Sequence, residues 1–234
     1  MKKIGIIGCG RISYKHIAAI KNNKNKFRIV SVCDTNYDKA LKIAKTINVN
    51  AYPNIKLMMK NEIIDLVVIL TENGNHTKHY LEVSNFKKDC VIEKPLALTL
   101  RDAKKIRDVS AIIKKKIFIV KQNRFNPAVE YFNQLNKKKI FGKLFLGNAT
   151  VRWRRDQSYF DLASWRGTRK LDGGVIGNQA SHHLDLLIWS LGKVKEVHAI
   201  GSNYLVKNIE SEDTVLVNLK FSDNKMASIE ATTA

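Results

Sequence analysis

The sequence predicts an α/β fold: an N-terminal domain with a doubly wound parallel sheet over residues 1–121 and a C-terminal α/β domain with a mostly antiparallel sheet over 122–234. Three observations lead there. In the first half, short runs of almost uninterrupted Val, Ile and Leu alternate with amphipathic stretches of helical length, which is the rhythm of a parallel sheet covered on both faces. The first apolar run opens into a glycine turn, and the second ends in an acidic residue. Past residue 123 the strands become longer and alternate in polarity, as antiparallel strands with one wet face do.

Taken in order, residues 4–7, 29–32, 66–70, 91–92 and 117–120 read as strands, and 39–47, 76–86 and 100–113 as the helices between them. Parallel sheets collect ligands beyond the carboxyl ends of their strands, so Gly8, Asp34, residues 71–76, Glu93-Lys94-Pro95 and Gln122 are the positions to watch. In the second half, a helix is expected near 127–136, alternating strands over 144–153 and 214–221, and an apolar helix at 186–191 that Gly192 stops.

The chain has 234 residues, 44% of them hydrophobic, enough for a sizeable core. No apolar run approaches the length of a membrane span, and two lysines lead straight into a strand rather than a signal segment, so a cytoplasmic, membrane-free protein is expected. Cys9, Cys33 and Cys90 are odd in number and show no C-x-x-C spacing; they read as reduced core thiols, with no metal expected. Lys and Arg outnumber Asp and Glu by 41 to 21, giving a formal charge of +20. The lysines are scattered among Asn and Ile without forming a patch, which argues against nucleic acid and leaves small anionic substrates as partners.

Residues 5–13 run Gly-Ile-Ile-Gly-Cys-Gly-Arg-Ile-Ser. Gly8 suits the tight turn, Gly10 a close approach of backbone to phosphate, and a helix opening near Arg11 would aim its amides at the anion. Ser13 stands where the fingerprint has its third glycine. Asp34 can accept hydrogen bonds from ribose hydroxyls and repel a 2′-phosphate, favouring NAD over NADP; capping the following helix is its other reading. Lys94, after a short strand, can polarise a substrate hydroxyl or move its proton, unless Glu93-Lys94-Pro95 is only an exposed turn. On a helix, Asn178, His182 and Asp185 share a face, and His182 has the proton affinity of a general base; a plain His182–Asp185 hydrogen-bonded pair is the alternative, and three metal ligands do not converge in the local sequence.

Together these features resemble the glucose–fructose oxidoreductase/inositol dehydrogenase (Gfo/Idh/MocA) family, which joins a Rossmann domain carrying Glu-Lys-Pro to a substrate domain carrying Asp-or-Asn-x-x-x-His. The resemblance spans the whole chain. It is strongest with the dehydrogenases that oxidise the C3 hydroxyl of UDP-N-acetylglucosaminuronate (UDP-GlcNAcA) in surface-polysaccharide (O-antigen) pathways, through residues 8–13, 120–127, 152–159, 164–168 and 178–183. It implies an NAD-dependent enzyme in which Lys94 and His182 transfer the proton and Asn178 positions the sugar. Gly8, Gly10, Arg11, Ile12, Asp34, Thr71, Asn73, His76, Glu93, Lys94, Gln122, Trp165 and Arg166 would line the NAD site, and Lys94, Asn123, Arg124, Arg154, Tyr159, Asn178 and His182 the substrate site. Arg152, Arg154, Arg155, Arg166 and Arg169 offer forked donors for a diphosphate and a carboxylate, although strand alternation sets Arg152 and Arg154 on one side and Arg155 on the other. Some relatives re-oxidise NADH in place with 2-oxoglutarate, and the family's common assembly is a homotetramer. Family members run on well past the equivalent of Ala234, so the second sheet is expected to lack its last strands, and the tetramer to depend on them. Another sugar or polyol dehydrogenase, or a non-catalytic NAD- or nucleotide-sugar-binding protein, are the remaining readings.

Overall fold

The computed structural model describes residues 1–234, which divide into two compact units, Met1–Val120 and Lys121–Ala234. In the first unit β1 (Lys2–Ile7), α1 (Ser13–Lys21), β2 (Phe27–Cys33), α2 (Tyr37–Ile47), β3 (Asn50–Tyr52), α3 (Ile55–Asn61), β4 (Leu66–Ile69), α4 (His76–Ser84), β5 (Asp89–Ile92), α5 (Leu100–Ile113) and β6 (Ile117–Ile119) follow one another. All six strands are parallel, in the order β3-β2-β1-β4-β5-β6. The order turns back at β1, so the crevice for a ligand lies beyond the carboxyl ends of β1 and β4.

The continuous apolar strands are explained by two cores, one on each face of this sheet. Ile4, Ile6, Val32 and Val68 pack with Ile17, Ala40, Ile43 and Ala44 of α1 and α2. Their sheet neighbours Ile7, Val67, Ile69 and Ile92 face Met58, Tyr80, Val83 and Ile106 of α3, α4 and α5. Helix starts are fixed by side-chain caps: Asn36, Asn54 and Thr99 accept the amides of Lys39, Leu57 and Asp102. Burial pushes the thiols of Cys9, Cys33 and Cys90 up to about 12, which keeps them protonated and inert.

The second unit contains α6 (Pro127–Lys137), β7 (Leu146–Arg152), α7 (Gln157–Asp161), α8 (Ser181–Leu191), β8 (Val194–Ser202), β9 (Thr214–Phe221) and β10 (Met226–Thr232). The sheet runs β7-β10-β9-β8; β9 is antiparallel to both neighbours and β10 is parallel to β7. One face buries Val151, Val217, Leu219, Phe221 and Ile229 against Leu191 and Leu187 of α8. Gly147 makes this contact close: a Cβ there would come within 2.9 Å of both Leu187 and Leu191. The other face carries Arg152–Glu230 and Lys220–Glu196 ion pairs beside exposed Leu146, Ile200, Leu216 and Met226. Fully buried Asp213 holds the β8–β9 connection, its carboxylate accepting the amides of Tyr204, Leu205 and Val206 and the Thr214 hydroxyl. No helix is long and apolar enough to cross a membrane.

Candidate functional site

In the first unit the glycine turn leaves β1 at Gly8, whose φ of +98° lies in the left-handed region. A Cβ at Gly8 would stand 2.7–3.0 Å from backbone atoms of Leu70 and Thr71, so packing against the end of β4 requires glycine here. Gly10 is different, because a Cβ there would meet nothing within 4 Å. Nothing in the chain demands a glycine at position 10, whereas the pyrophosphate of a dinucleotide, lying against the backbone, would. The buried Ser13 hydroxyl donates to the Gly10 carbonyl at 2.7 Å and closes the turn. No side chain caps the N-terminus of α1; the Ser13 and Lys15 amides turn back to the Gly10 and Ile12 carbonyls at 3.1 Å, so an anion would be met by the other amides of the turn. Arg11, exposed, and Ile12, half-buried, border the turn.

Asp34 accepts the Cys9 amide at 2.8 Å through Oδ2 and the Asn36 amide at 2.8 Å through Oδ1. It therefore braces the glycine turn from β2, and each oxygen retains a lone pair for a ribose hydroxyl. Its alternative reading as a helix cap is corrected, since Asn36 caps α2.

The Lys94 turn is held on both sides. Glu93 Oε1 is 2.8 Å from His16 Nε2, and Glu93 Oε2 accepts the Lys94 amide at 2.9 Å. Burial raises the Glu93 pKa, but these bonds and the nearby Lys94 charge outweigh it and hold the carboxyl below its usual range. The Lys94–Pro95 peptide is cis, and the Pro95 carbonyl lies 2.7 Å from His76 Nδ1. His76 Nε2 is 3.1 Å from the Thr71 carbonyl. His76 has no exposed surface, and burial pushes its pKa down; expected to line the cofactor, it instead ties two ligand-side loops together through its ring. Thr71 bonds His79 Nδ1 at 2.8 Å, and Asn73 is buried in the 3-10 turn before α4.

In the second unit the 3-10 turn Gln122–Phe125 carries Gln122, Asn123 and Arg124. Gln122 Nε2 donates to His182 Nε2 at 3.1 Å, which makes that ring nitrogen the unprotonated, basic one. Arg124 grips Asp185 through two nitrogens at 2.7 and 2.8 Å, Lys121 adds a contact at 3.5 Å, and Trp189 lies under the guanidinium. Burial raises the Asp185 pKa, but Arg124 and Lys121 outweigh it and keep the carboxyl below its usual range. A His182–Asp185 pair is thus overturned, and Arg124, expected to touch substrate, has two of its three nitrogens engaged inside the fold.

The shared face of Asn178, His182 and Asp185 also needs correction. Asn178 sits on a π-helical segment, Val175–Ala180, that follows two left-handed glycines and runs into α8. The wider turn changes its direction, and Asn178 donates to buried Asp172, which also accepts the Gly167 amide at 2.8 Å.

Around Tyr159 the arginines separate into two groups. Arg166 lies 4.1 Å from the Tyr159 ring centre and 4.9 Å from that of Trp165; Arg155 lies 5.1 Å from Tyr159 and 6.0 Å from Trp153. Neither makes a salt bridge, and the Nε of each is shielded from water with no hydrogen-bond partner. Gln179 donates to the Tyr159 hydroxyl, and His183 packs edge-on to Trp153. Arg155 Nη1 donates to the Arg154 carbonyl at 2.9 Å; Arg152, by contrast, is paired with Glu230, and Arg169 donates through Nε to the Glu210 carbonyl. Exposed Arg154 and half-buried Arg155 follow the last residue of β7, so strand alternation does not govern them. Local pattern gave no warning of Asp172; His16 went unremarked on α1, as did Gln179 and His183 inside the motif.

Residues 2–121 match the family described as an oxidoreductase family with an NAD-binding Rossmann fold, and residues 129–234 match the GFO/IDH/MocA C-terminal domain. The WlbA dehydrogenase from Bordetella pertussis, solved in complex with NADH and UDP-GlcNAcA, is 33% identical with a TM-score of 0.96, over 99% of this chain and 70% of its own. The corresponding WlbA dehydrogenase from Chromobacterium violaceum, also with NADH and UDP-GlcNAcA, is 31% identical with a TM-score of 0.96, over 99% of this chain and 67% of its own. Glucose-6-phosphate 3-dehydrogenase of Bacillus subtilis is 27% identical over 82% of this chain, which spans 54% of that enzyme. Both units and the glycine turn lead to one assignment: the chain belongs to the GFO/IDH/MocA oxidoreductase family.

Proposed function

We propose that this chain carries the NAD-binding and sugar-binding parts of a dehydrogenase that oxidises the C3 hydroxyl of UDP-GlcNAcA, in the service of a surface polysaccharide such as O-antigen. The observation that carries the reading is the pair of guanidinium groups at Tyr159, Arg155 and Arg166, which have no internal counter-ion. A nucleotide-sugar acid brings a diphosphate and a carboxylate, the two anions that a forked guanidinium binds best. NAD, when bound, accepts the hydride from the carbinol carbon. The open space above Gly10 and the uncapped start of α1 suit its pyrophosphate, and Asp34 suits its adenosine ribose. Trp165 completes the cofactor contacts in this reading.

Lys94 polarises the reacting hydroxyl, His182 takes its proton, and Asn178, steadied by Asp172, orients the sugar. Asn123, Arg154 and Tyr159 serve the substrate. Assembly as a homotetramer, and re-oxidation of NADH in place by 2-oxoglutarate, belong to the same proposal. A sugar phosphate is the second reading, because the same arginines complement a phosphate monoester and a relative acts on glucose 6-phosphate.

Mixing the protein and NAD with UDP-GlcNAcA, UDP-N-acetylglucosamine, glucose 6-phosphate or inositol, and following the NADH absorbance band, separates these readings. Formation of NADH with UDP-GlcNAcA alone, lost in Lys94→Ala and His182→Ala, is the expected result. A response to glucose 6-phosphate instead moves the assignment to the second reading.

A further inference from the structure

A nearly buried carboxylate next to a reactive lysine must be satisfied by donors, or it will take up a proton or draw in the nearest cation. Glu93 is 9% exposed and receives two donors within its unit, the Lys94 amide and the His16 ring. His16 stands on the first turns of α1, beside buried Ser13 and Ile17, on the helix that opens over the glycine turn. We propose that His16 is a positioning residue for Lys94: through Glu93 it fixes the peptide that presents the lysine and ties it to the helix above the phosphate cradle.

The arrangement is two-sided. On the far side of Lys94 the Pro95 carbonyl is held by His76, a fully buried ring. On the near side the hold is Glu93, which depends on a histidine whose side chain is 18% exposed. Without the His16 ring, Glu93 Oε1 loses its donor, and the Lys94 ammonium, whose charge already acts on Glu93, would be drawn from substrate towards its own neighbour. His16 thus matters for where the lysine points through Glu93. The catalytic part of this inference rests on the proposed role of Lys94; the structural part does not.

The test compares wild type, His16→Leu, His16→Gln and Lys94→Ala by amide hydrogen exchange and by steady-state turnover of UDP-GlcNAcA with NAD. His16→Leu is expected to speed exchange of residues 92–97 by about tenfold, the effect of losing one anchoring hydrogen bond, while residues 66–69 of β4 stay as in wild type. His16→Gln keeps an N–H for Glu93 and restores both exchange and turnover. In turnover, His16→Leu lowers kcat and leaves KM unchanged, and Lys94→Ala lowers kcat with wild-type exchange. Equal exchange over 92–97 in wild type and His16→Leu overturns the inference, as does a rise that extends equally through β4, because His16 would then hold the sheet and not the turn. Should wild type oxidise none of the sugars, the proposed function falls, and the exchange comparison still decides what His16 holds.

Discussion

Replacing Gly8 and Gly10 by alanine, one at a time, separates what the fold requires of the glycine turn from what a ligand requires. At Gly8 the backbone is left-handed, which costs an L-residue about 1–2 kcal/mol. The new methyl would also sit 2.7 Å from the Leu70 carbonyl carbon and 2.8 Å from its oxygen, atoms of a chain that is hydrogen-bonded to β1 through Leu70 N and Ile7 O. Backbone so held cannot rotate aside as a side chain would, and overpacking of this kind adds about 1–3 kcal/mol. The sum, about 2–5 kcal/mol, lowers the melting temperature of a unit of this size by about 4 °C per kcal/mol. Gly8→Ala is therefore expected to melt roughly 8–20 °C below wild type.

Gly10→Ala gives the opposite pattern. Its methyl meets no protein atom and its φ is ordinary, so stability stays within about 0.5 kcal/mol of wild type. A methyl between backbone and pyrophosphate pushes the phosphate out of amide reach, and NADH affinity falls by about tenfold or more, equivalent to about 1.4 kcal/mol. Circular dichroism melting curves and a fluorescence titration with NADH on the same preparations read both quantities. Wild-type NADH affinity in Gly10→Ala would show that the open space is not where the cofactor lies. A wild-type melting curve for Gly8→Ala would refute the steric argument.

Asp213→Ala removes the acceptor of three loop amides and is expected to cost about 2–4 kcal/mol at neutral pH, read from urea unfolding. Burial raises the Asp213 pKa, but those bonds hold it below the usual carboxyl range, so its contribution is full above the unfolded pKa of about 4 and is lost as pH falls through the native value; wild type and variant should converge in acid. Arg166→Leu is expected to weaken UDP-GlcNAcA binding by at least about tenfold, and Arg152→Leu, already paired with Glu230, by less than about twofold; equal effects in calorimetry would contradict the division of arginines. Arg124→Leu and Asp185→Leu should each destabilise by about 2–4 kcal/mol while the double variant loses far less than their sum, and simple additivity in a double-mutant cycle would remove the Arg124–Asp185 clamp from the account.

The parallel unit was legible because burial on both faces leaves its mark on every strand residue, and Ile4, Ile6 and Ile7 are apolar whichever way they point. β3 and α3 escaped notice since three residues and seven are too few to display a period. The turn at Gly8 could be read locally, whereas the fate of Arg152 depended on Glu230, 78 residues away on a neighbouring strand. Asn178 misled for a geometrical reason: spacing arguments assume an α-helix, and the π-turn after Gly173 and Gly174 sends its side chain to Asp172. A signal for His16 did exist, in its place on the buried edge of α1 one turn past Ser13, but its partner Glu93 lies 77 residues further along the chain, past β5.

A net charge of +20 says little about where an anion binds, because most of these cations are solvated and scattered. What discriminates is whether the fold already uses them. Arg124 is matched to Asp185 and Arg152 to Glu230, and the Nε of Arg169 is taken by the Glu210 carbonyl, so each is explained by its partner. Arg155 and Arg166 each hold a water-shielded Nε without an acceptor, a cost of about 1–3 kcal/mol apiece in a protein whose whole stability is of order 10 kcal/mol. Their contacts with Tyr159, Trp153 and Trp165 offset part of that cost, since an aromatic face attracts a cation, but a ring supplies no acceptor in the plane of the guanidinium fork. Carboxylate and phosphate oxygens do. The same reasoning applies at Gly10, where the chain tolerates a residue whose absence of side chain serves nothing inside the fold. In both units, then, the proposed ligands answer chemistry that the fold leaves incomplete.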